Sequence, residues 1–324
     1  MKLQFVTSNQ TNPFWNVAVE NYLVSQPNED TVTLYLWKNR RTVVVGQNQN
    51  PFAECDVDQL LADGGFVMRR TTGGGAVYHD DGNINFSFVA PYALYDQERQ
   101  FEVVCRAVDS YGLSTSLSGR NDLLCQGRKF SGNAFSKGHF NRLHHGTILI
   151  KGNMEDLSRY LKVKPSKLHK HGVQSVASRV VNLSELADVT SDNIVPRLKK
   201  AFLEVYGCPD CSEVPFEVLA DRKEVKELYA RYSSDEWLFG KWRHFQVQRS
   251  AQFDWGLVEL SVAVDEARGV IADVAISTDA LDVTLPEAVQ SLLVGVPITT
   301  PPAVDEGSPL AGMLADIVGL VFRT

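Results

Sequence analysis

The stretch Arg69-Arg70-Thr71-Thr72-Gly73-Gly74-Gly75-Ala76-Val77-Tyr78-His79-Asp80 sets two guanidinium groups directly before three consecutive glycines. Arginine is permanently charged and presents planar donors that match phosphate or carboxylate. Glycine admits φ > 0 and lets a backbone come close to a ligand. Together they describe a loop that cradles an anion. Gly127-Arg128-Lys129-Phe130-Ser131-Gly132-Asn133-Ala134 is a second such place. There a lysine among small residues supplies a point charge suited to a phosphate or to charge developing on a phosphoryl group. Taken alone, it also reads as a surface Arg-Lys pair in a turn. Just upstream, Ser118-Gly119-Arg120-Asn121-Asp122 adds a carboxylate and an amide. These are oxygen ligands of the kind Mg2+ accepts, so Asp122 is a candidate metal ligand. His144-His145-Gly146 leads into the apolar run Thr147-Ile148-Leu149-Ile150. Acid–base work and a hydrogen-bonded pocket wall are both open to these histidines.

Other chemistries lack their parts. The formal charge of −7 gives no global basic field for nucleic acid. The N-terminus has no long apolar core of a secretory signal. No apolar run approaches the roughly 18 residues of a membrane span. A cytoplasmic protein is expected, without membrane or nucleic-acid partners. The five cysteines are irregularly spaced and do not form a disulfide framework. Cys208-Pro209-Asp210-Cys211 is a single CxxC with no second pair to complete a zinc site, so it reads as free thiols in a loop. Cys125 lies four residues before Lys129, but its neighbours offer no activating base, and it reads as structural.

The elements that must hold these residues follow from periodicity. Gly65–Met68 reads as a strand, and Ile84, Phe86 and Phe88 alternate with Asn85 and Ser87 as a half-buried strand. The glycine loop therefore joins strands. A Rossmann or P-loop reading instead needs glycines that open a helix. Thr11 or Asn12 caps a helix that begins at Pro13, striped by Trp15, Ala18, Val19, Tyr22 and Leu23. Strands are predicted at 33–37, 42–45, 130–135 and 147–150, and helices at 51–61, 97–110, 154–161 and 193–206. After a change near 240–252 come strands at 258–264 and 270–276. A terminal helix carries Leu310, Met313, Leu314, Ile317, Val318 and Val321. The irregular alternation predicts an α/β (α+β) fold: a mixed-sheet domain over 1–245 and a small α+β domain over 250–324, with two strands and one or two helices in the latter.

These pieces resemble the lipoate–protein ligases, relatives of the biotin ligases. Asn16–Glu20, Arg69–Asp80, Ser118–Asp122, Arg128–Ala134, His144–Leu149, Ser175–Leu183 and Glu236–Gly240 occur in the family's order. The resemblance covers nearly the whole chain, including the C-terminal domain of the long bacterial form. It implies a mixed-sheet catalytic domain that joins ATP and lipoate into lipoyl-AMP with release of pyrophosphate. The lipoyl group then passes to a lysine of an acceptor protein. The resemblance places Arg70, Gly75, Ala76, Val77 and Tyr78 on the nucleotide. Lys129 falls between the lipoate carboxylate and the α-phosphate, and Gly73, Gly74 and His145 on the lipoate side. ATP with Mg2+ and lipoate are thus expected as co-substrates and ion, with no tightly bound prosthetic group. The expected partners are lipoyl domains of 2-oxoacid dehydrogenase acyltransferase subunits or the glycine-cleavage carrier protein, met by a monomer.

Such chemistry suits the residues. Carboxylate attack on an α-phosphate brings two anions together, and cations and bare amides must neutralise them. Phe86, Phe88 and Ile148 are candidate walls of a dry slot for the lipoyl chain. Biotin ligases typically carry a Gly-Arg-Gly-Arg type of loop, which Thr71–Gly75 is not. The related amidotransferases use a cysteine thioester near the position of Gly119–Asp122, where no cysteine stands. A lipoyl or octanoyl amidotransferase and a non-catalytic lipoate-binding partner are the alternative readings. The basic stretch Lys162, Lys164, Lys167, His169, Lys170 and His171 could steer acidic acceptor domains or be a solvated face.

Overall fold

The computed structural model describes residues 1–119, 121–162, 180–239, 247–265 and 268–322. Arg120, the basic stretch beyond Lys162, the family motif over 175–179 and Gly240 lie outside the described residues, as does the chain from 240 to 246. Two compact units are present. The first comprises Met1–Val44, Cys55–Met68 and Val77–Ser234, and the second Val45–Glu54, Arg69–Ala76 and Asp235–Thr324. No described helix is long and apolar enough to cross a membrane.

In chain order the elements begin β1 (Lys2–Thr7), α1 (Pro13–Ser25), β2 (Thr31–Trp37), β3 (Thr42–Val45), α2 (Pro51–Glu54), α3 (Val57–Ala62), β4 (Phe66–Arg69), β5 (Val77–His79), β6 (Asn83–Pro91) and α4 (Gln97–Asp109). Next come β7 (Thr115–Ser118), β8 (Asp122–Cys125), β9 (Arg128–Lys137), β10 (Asn141–Leu149), α5 (Met154–Tyr160), α6 (Ser191–Tyr206), β11 (Ser212–Pro215), α7 (Phe216–Ala220), α8 (Lys223–Tyr232) and α9 (Asp235–Phe239). β12 (Val247–Phe253), β13 (Gly256–Asp265), β14 (Val270–Thr278), α10 (Leu285–Leu293) and α11 (Ala311–Phe322) follow among the described residues.

The first unit is built on an eight-stranded sheet in the order β11-β1-β2-β6-β10-β9-β8-β7. The β11–β1 and β1–β2 pairs are parallel, and the pairs from β2 through β7 are antiparallel. This is the mixed α/β arrangement that the irregular alternation predicts. One sheet face packs Leu34, Phe86, Phe88 and Ile148 against Phe101 and Val104 of α4 and Leu198 and Phe202 of α6. α6 begins with a reciprocal capping box between Thr190 and Asn193 and ends at Gly207, whose φ of 65° suits a glycine.

β6 corrects a prediction. All nine of its residues are buried, so it is a central strand covered on both faces rather than a half-buried one. Asn85 and Ser87 are polar but not solvated. Phe86, Phe88 and Ile148, expected to wall a lipoyl slot, are instead core side chains beneath α4 and α6. α1 likewise exceeds its predicted stripe. Asn12 caps it by accepting from the Phe14 N–H at 2.9 Å, but Asn16 and Glu20 are buried along with Val17, Ala18 and Val19.

The predicted helix over 51–61 is two short ones. The chain leaves helical geometry at Cys55 and Asp56, where Cys55 bridges to Leu161 and the Asp56 N–H donates to the Tyr160 carbonyl. Asp56 then caps α3, a position aspartate favours over a helix interior. In the second unit, β12-β13-β14 form an antiparallel sheet, one strand more than predicted. Val258, Leu260 and Ile276 pack there with Leu285 and Val289 of α10 and Leu314 and Ile317 of α11.

Candidate active site

Lys129 lies in the first unit, at the start of β9. The hairpin from β8 turns through Gln126 and Gly127, both at positive φ (51° and 76°), the geometry of a two-residue turn that fits the twist of its strands. A register shift between Leu123 and Leu124 sets Lys129 opposite Leu124. The Lys129 carbonyl accepts from the Val181 N–H at 2.9 Å, which fixes the backbone from the other side. The ammonium meets Asp122 Oδ1 at 2.7 Å, and the two side chains are 38% and 35% exposed. A Cβ on Gly132 would stand 3.0 Å from Lys129 Nζ, so the bare glycine lets the lysine stem lie across the strand. The result is a cation with a fixed root, a carboxylate partner and an accessible head. Cys125, in the same hairpin, is fully buried and its thiol is pushed up by desolvation, which disarms it as a nucleophile.

The two histidines point to opposite faces of β10, as neighbours on a strand must. His145 Nδ1 is 2.8 Å from Glu20 Oε1. That same oxygen accepts from Ser87 Oγ at 2.5 Å, and Ser87 Oγ accepts from Trp37 Nε1 at 2.9 Å. His145 is 8% exposed and Glu20 is fully buried, so the pair forms a polar seam between the sheet and α1. His144 faces the opposite core and bonds Gln100 and Asn133. The spacing of the sequence did not single out Glu20, Ser87, Trp37 or Gln100. The available signal was a carboxylate inside the apolar run of α1 and polar residues alternating in β6. Tyr78 and Val77 also lie in the first unit. The Tyr78 hydroxyl donates to Asp156 at 3.3 Å and is pushed up by burial, while Val77 is 37% exposed.

Arg70 and Gly73 to Ala76 belong to the second unit. Arg70 is buried and folds back onto its own loop. Its Nη2 donates to the Gly73 and Gly75 carbonyls at 2.7 and 2.9 Å, and its Nε to Thr72 Oγ1 at 3.0 Å. Gly73 has no room for a side chain: a Cβ would stand 2.3 Å from the Ala280 carbonyl oxygen and 2.5 Å from that of Leu281. The Gly74 N–H donates to the Ala280 carbonyl at 3.1 Å, and Gly74 has φ 97°. A Cβ on Gly75 would meet nothing within 4 Å. Arg69 is 2% exposed, and its guanidinium donates to the carbonyls of Gly46, Gln47, Gln49, Trp237 and Leu238. Burial lowers its pKa to about 10, still charged at neutral pH.

Among the described residues no three His, Cys, Asp or Glu side chains gather as a metal cage. Mg2+ carried by a nucleotide needs only one or two protein carboxylates. Asp122, one-third exposed and hard in its donor chemistry, fits that smaller requirement. Cys208 and Cys211 are free thiols.

Known proteins with this pattern are consistent with one another. The lipoyl protein ligase A/B catalytic domain matches residues 12–203, and the bacterial lipoate protein ligase C-terminus matches 243–302. The chain is 38% identical to a lipoate-protein ligase A of Psychrobacter cryohalolentis, over 91% of this chain and 89% of the relative. It is 35% identical to one of Bdellovibrio bacteriovorus, over 90% and 86%. The structure of P. falciparum LipL1 in complex with lipoate superposes with a TM-score of 0.83 at 27% identity, covering 99% of this chain and 100% of that one. A lipoate-protein ligase A bound with ATP gives 0.62 at 27% identity over 74% and 98%. A bi-partite lipoate protein ligase of Thermoplasma acidophilum, described with its E2 lipoyl domain, gives 0.64 at 27% identity over 76% and 98%.

Proposed function

The chain belongs to the lipoate–protein ligases, and from that premise we propose how its own residues divide the work. The reaction is ATP-dependent: lipoate is activated to lipoyl-AMP with release of pyrophosphate, and the lipoyl group then passes to a lysine of a lipoyl domain. In the first half-reaction the lipoate carboxylate attacks the α-phosphate, and pyrophosphate leaves. Lys129 is the residue we assign to both anions. Its ammonium leaves Asp122 for the phosphoryl oxygens, offsetting the repulsion as the new P–O bond forms. Val77 and Tyr78 take the nucleotide side in the first unit. In the second, Arg70, Gly75 and Ala76 take it, with Gly73 and Gly74 toward lipoate. Asp122 would hold the nucleotide's Mg2+, which when bound supplies further neutralisation of phosphate charge. His145, anchored through Nδ1 on Glu20, is assigned to lipoate.

In the second half-reaction the acceptor amine attacks the acyl carbon and AMP departs with the electron pair of the broken bond. This step asks mainly for placement of a deprotonated amine. No thioester is needed, and the buried Cys125 is unsuited to one. We assign 1–245 to adenylation and 250–324 to an accessory domain. The setting is a cytoplasmic monomer acting on acyltransferase-subunit or glycine-cleavage carrier lipoyl domains. The observation that supports this reading best is the Lys129 ammonium, fixed at its root and half-exposed beside Asp122. Lipoate-dependent ATP–pyrophosphate exchange by the purified chain tests it. A ligase exchanges label. An amidotransferase or a lipoate-binding partner does not.

A further inference from the structure

Beneath the Lys129 hairpin runs a buried polar chain that this chemistry does not touch. His144 is fully buried, and its ring sits among Phe86, Phe88, Phe101 and Phe135 with centroids 4.7–5.9 Å away. In that dry surround burial drives its pKa well below the usual histidine value, and the ring is neutral. A neutral imidazole has one N–H and one lone pair. Yet both nitrogens meet amides: Nδ1 lies 3.0 Å from the Gln100 side chain and Nε2 lies 2.9 Å from Asn133 Oδ1. The two amides cannot both be acceptors.

Asn133 decides between them. Its Nδ2 donates to the Asn121 carbonyl at 3.0 Å and to Ser131 Oγ at 3.2 Å, so its oxygen is the end that faces the ring. Nε2 therefore carries the proton. Nδ1 is the acceptor, and Gln100 must offer it an N–H. Gln100 Nε2 is otherwise buried without a hydrogen-bond partner among the described residues. This amide orientation gives it one. Gly146 supplies independent support. A Cβ there would stand 2.4 Å from Asn133 Oδ1 and 2.6 Å from Phe86 Cζ, so a bare backbone is what allows Asn133 to reach the ring.

We propose that His144, as a neutral Nε2–H imidazole, is a positioning residue that sets the Asp122–Lys129 pair through Asn133 and Asn121. The link is short. Asn133 N–H donates to the Asn121 carbonyl, and Asn121 Nδ2 donates back to the Asn133 carbonyl, each at 3.0 Å. These bonds lock the start of β8, where Asp122 stands, to the strand that carries Lys129. The ring thus fixes a side chain on β9, and that side chain fixes the carboxylate's root. This role rests on the function proposed for Lys129.

Two measurements test it on the full chain. With 15N-labelled histidine, nuclear magnetic resonance at pH 7 should show His144 with a protonated Nε2 and a bare Nδ1. An Nδ1–H tautomer or an imidazolium overturns the proposal whatever Lys129 does. In exchange kinetics, His144→Phe fills the aromatic cage but cannot donate, whereas His144→Gln returns an N–H near the Nε2 position. His144→Phe should lose about tenfold in kcat, the scale of a misplaced catalytic group, with KM for ATP and lipoate within about twofold. His144→Gln should recover at least half of that loss. An unchanged kcat in His144→Phe, or equal losses in both variants, overturns the positioning role. If Lys129→Ala keeps near-normal exchange, the reading of Lys129 fails and the positioning role fails with it. The predicted tautomer would still be found in that case, which separates the two failures.

Discussion

The Asp122–Lys129 hairpin and the Arg69–Ala76 loop both set cations beside glycines, but they use the charge differently. In the hairpin the cation is half-exposed, has a carboxylate for a partner and is rooted by backbone bonds. In the loop both guanidiniums are buried and bond to backbone carbonyls: Arg69 gathers five of them, and Arg70 holds those of Gly73 and Gly75. Glycine also differs in purpose. Gly132 makes way for a lysine stem, whereas Gly73 makes way for the carbonyls of Ala280 and Leu281. A motif rich in arginine and glycine is therefore partly its own scaffold. Adjacent arginines need not share a role: Arg69 is a buried staple, and Arg70 shapes the loop that carries Gly75, where an added Cβ would meet open space.

The largest effect expected from this contrast is on Lys129. Lys129→Ala should lower lipoate-dependent ATP–pyrophosphate exchange by about 10²–10³-fold or more, the usual loss when a charge-stabilising group is removed. Its half-exposed side chain predicts an unfolding free energy in urea changed by less than about 0.5 kcal/mol. Near-normal exchange would make the exposed cation no more functional than the buried ones.

Arg69 should behave in the opposite way. Arg69→Lys replaces a planar fork with a single point donor and leaves buried carbonyls short of partners. The expected cost is about 1–3 kcal/mol in unfolding free energy, read as a lower urea midpoint at unchanged slope. An unshifted midpoint would mean that the staple carries no stability, and the contrast between the two regions would close.

Much of this was legible in sequence, and the rest failed for identifiable reasons. The Pro13 helix start, the strands predicted at 33–37 and 42–45, and the α4 and α6 stripes follow from caps and periodicity, which are local. β6 did not follow: alternation of Phe with Asn and Ser means one wet face only if no second layer covers it, and α1 does. The break at Cys55 depends on a backbone bridge to Leu161, far along the chain. The Lys129 segment stood out because Gly127, Ser131 and Gly132 around it form a local pattern. The Gln100–His144–Asn133 chain was not, because it joins a helix and two strands through side chains alone.

Two glycines of the same triplet offer a finer test. Gly73→Ala forces a Cβ to within 2.3–2.5 Å of two backbone carbonyl oxygens, which cannot swing aside as a flexible side chain would. It should cost about 1–3 kcal/mol, as overpacking does. Gly75→Ala meets open space. It should leave stability within about 0.5 kcal/mol. If Gly75 lies against the nucleotide, the same variant should nevertheless raise KM for ATP about tenfold. Unchanged kinetics in Gly75→Ala would reduce the whole triplet to scaffold.

The last effect lies under the hairpin, in the pH dependence of stability. His144 is buried in its neutral form, with a folded pKa well below the roughly 6.5 of an unfolded histidine. As pH falls through 6.5, the unfolded chain takes up a proton that the folded ring refuses, so stability is present above that pH and is lost below it. The slope from this one group is about 1.4 kcal/mol per pH unit until the folded pKa is reached. His145 and Glu20 also face the sheet, on its other side, and remain in both proteins when wild type is compared with His144→Gln. The difference between their urea stability curves should thus be flat above pH 7 and should narrow steadily from pH 6.5 to 5. Parallel curves over that range would show that the ring takes up its proton in the folded state. The hairpin would then rest on an imidazolium, with a charge below its floor as well as one at its tip.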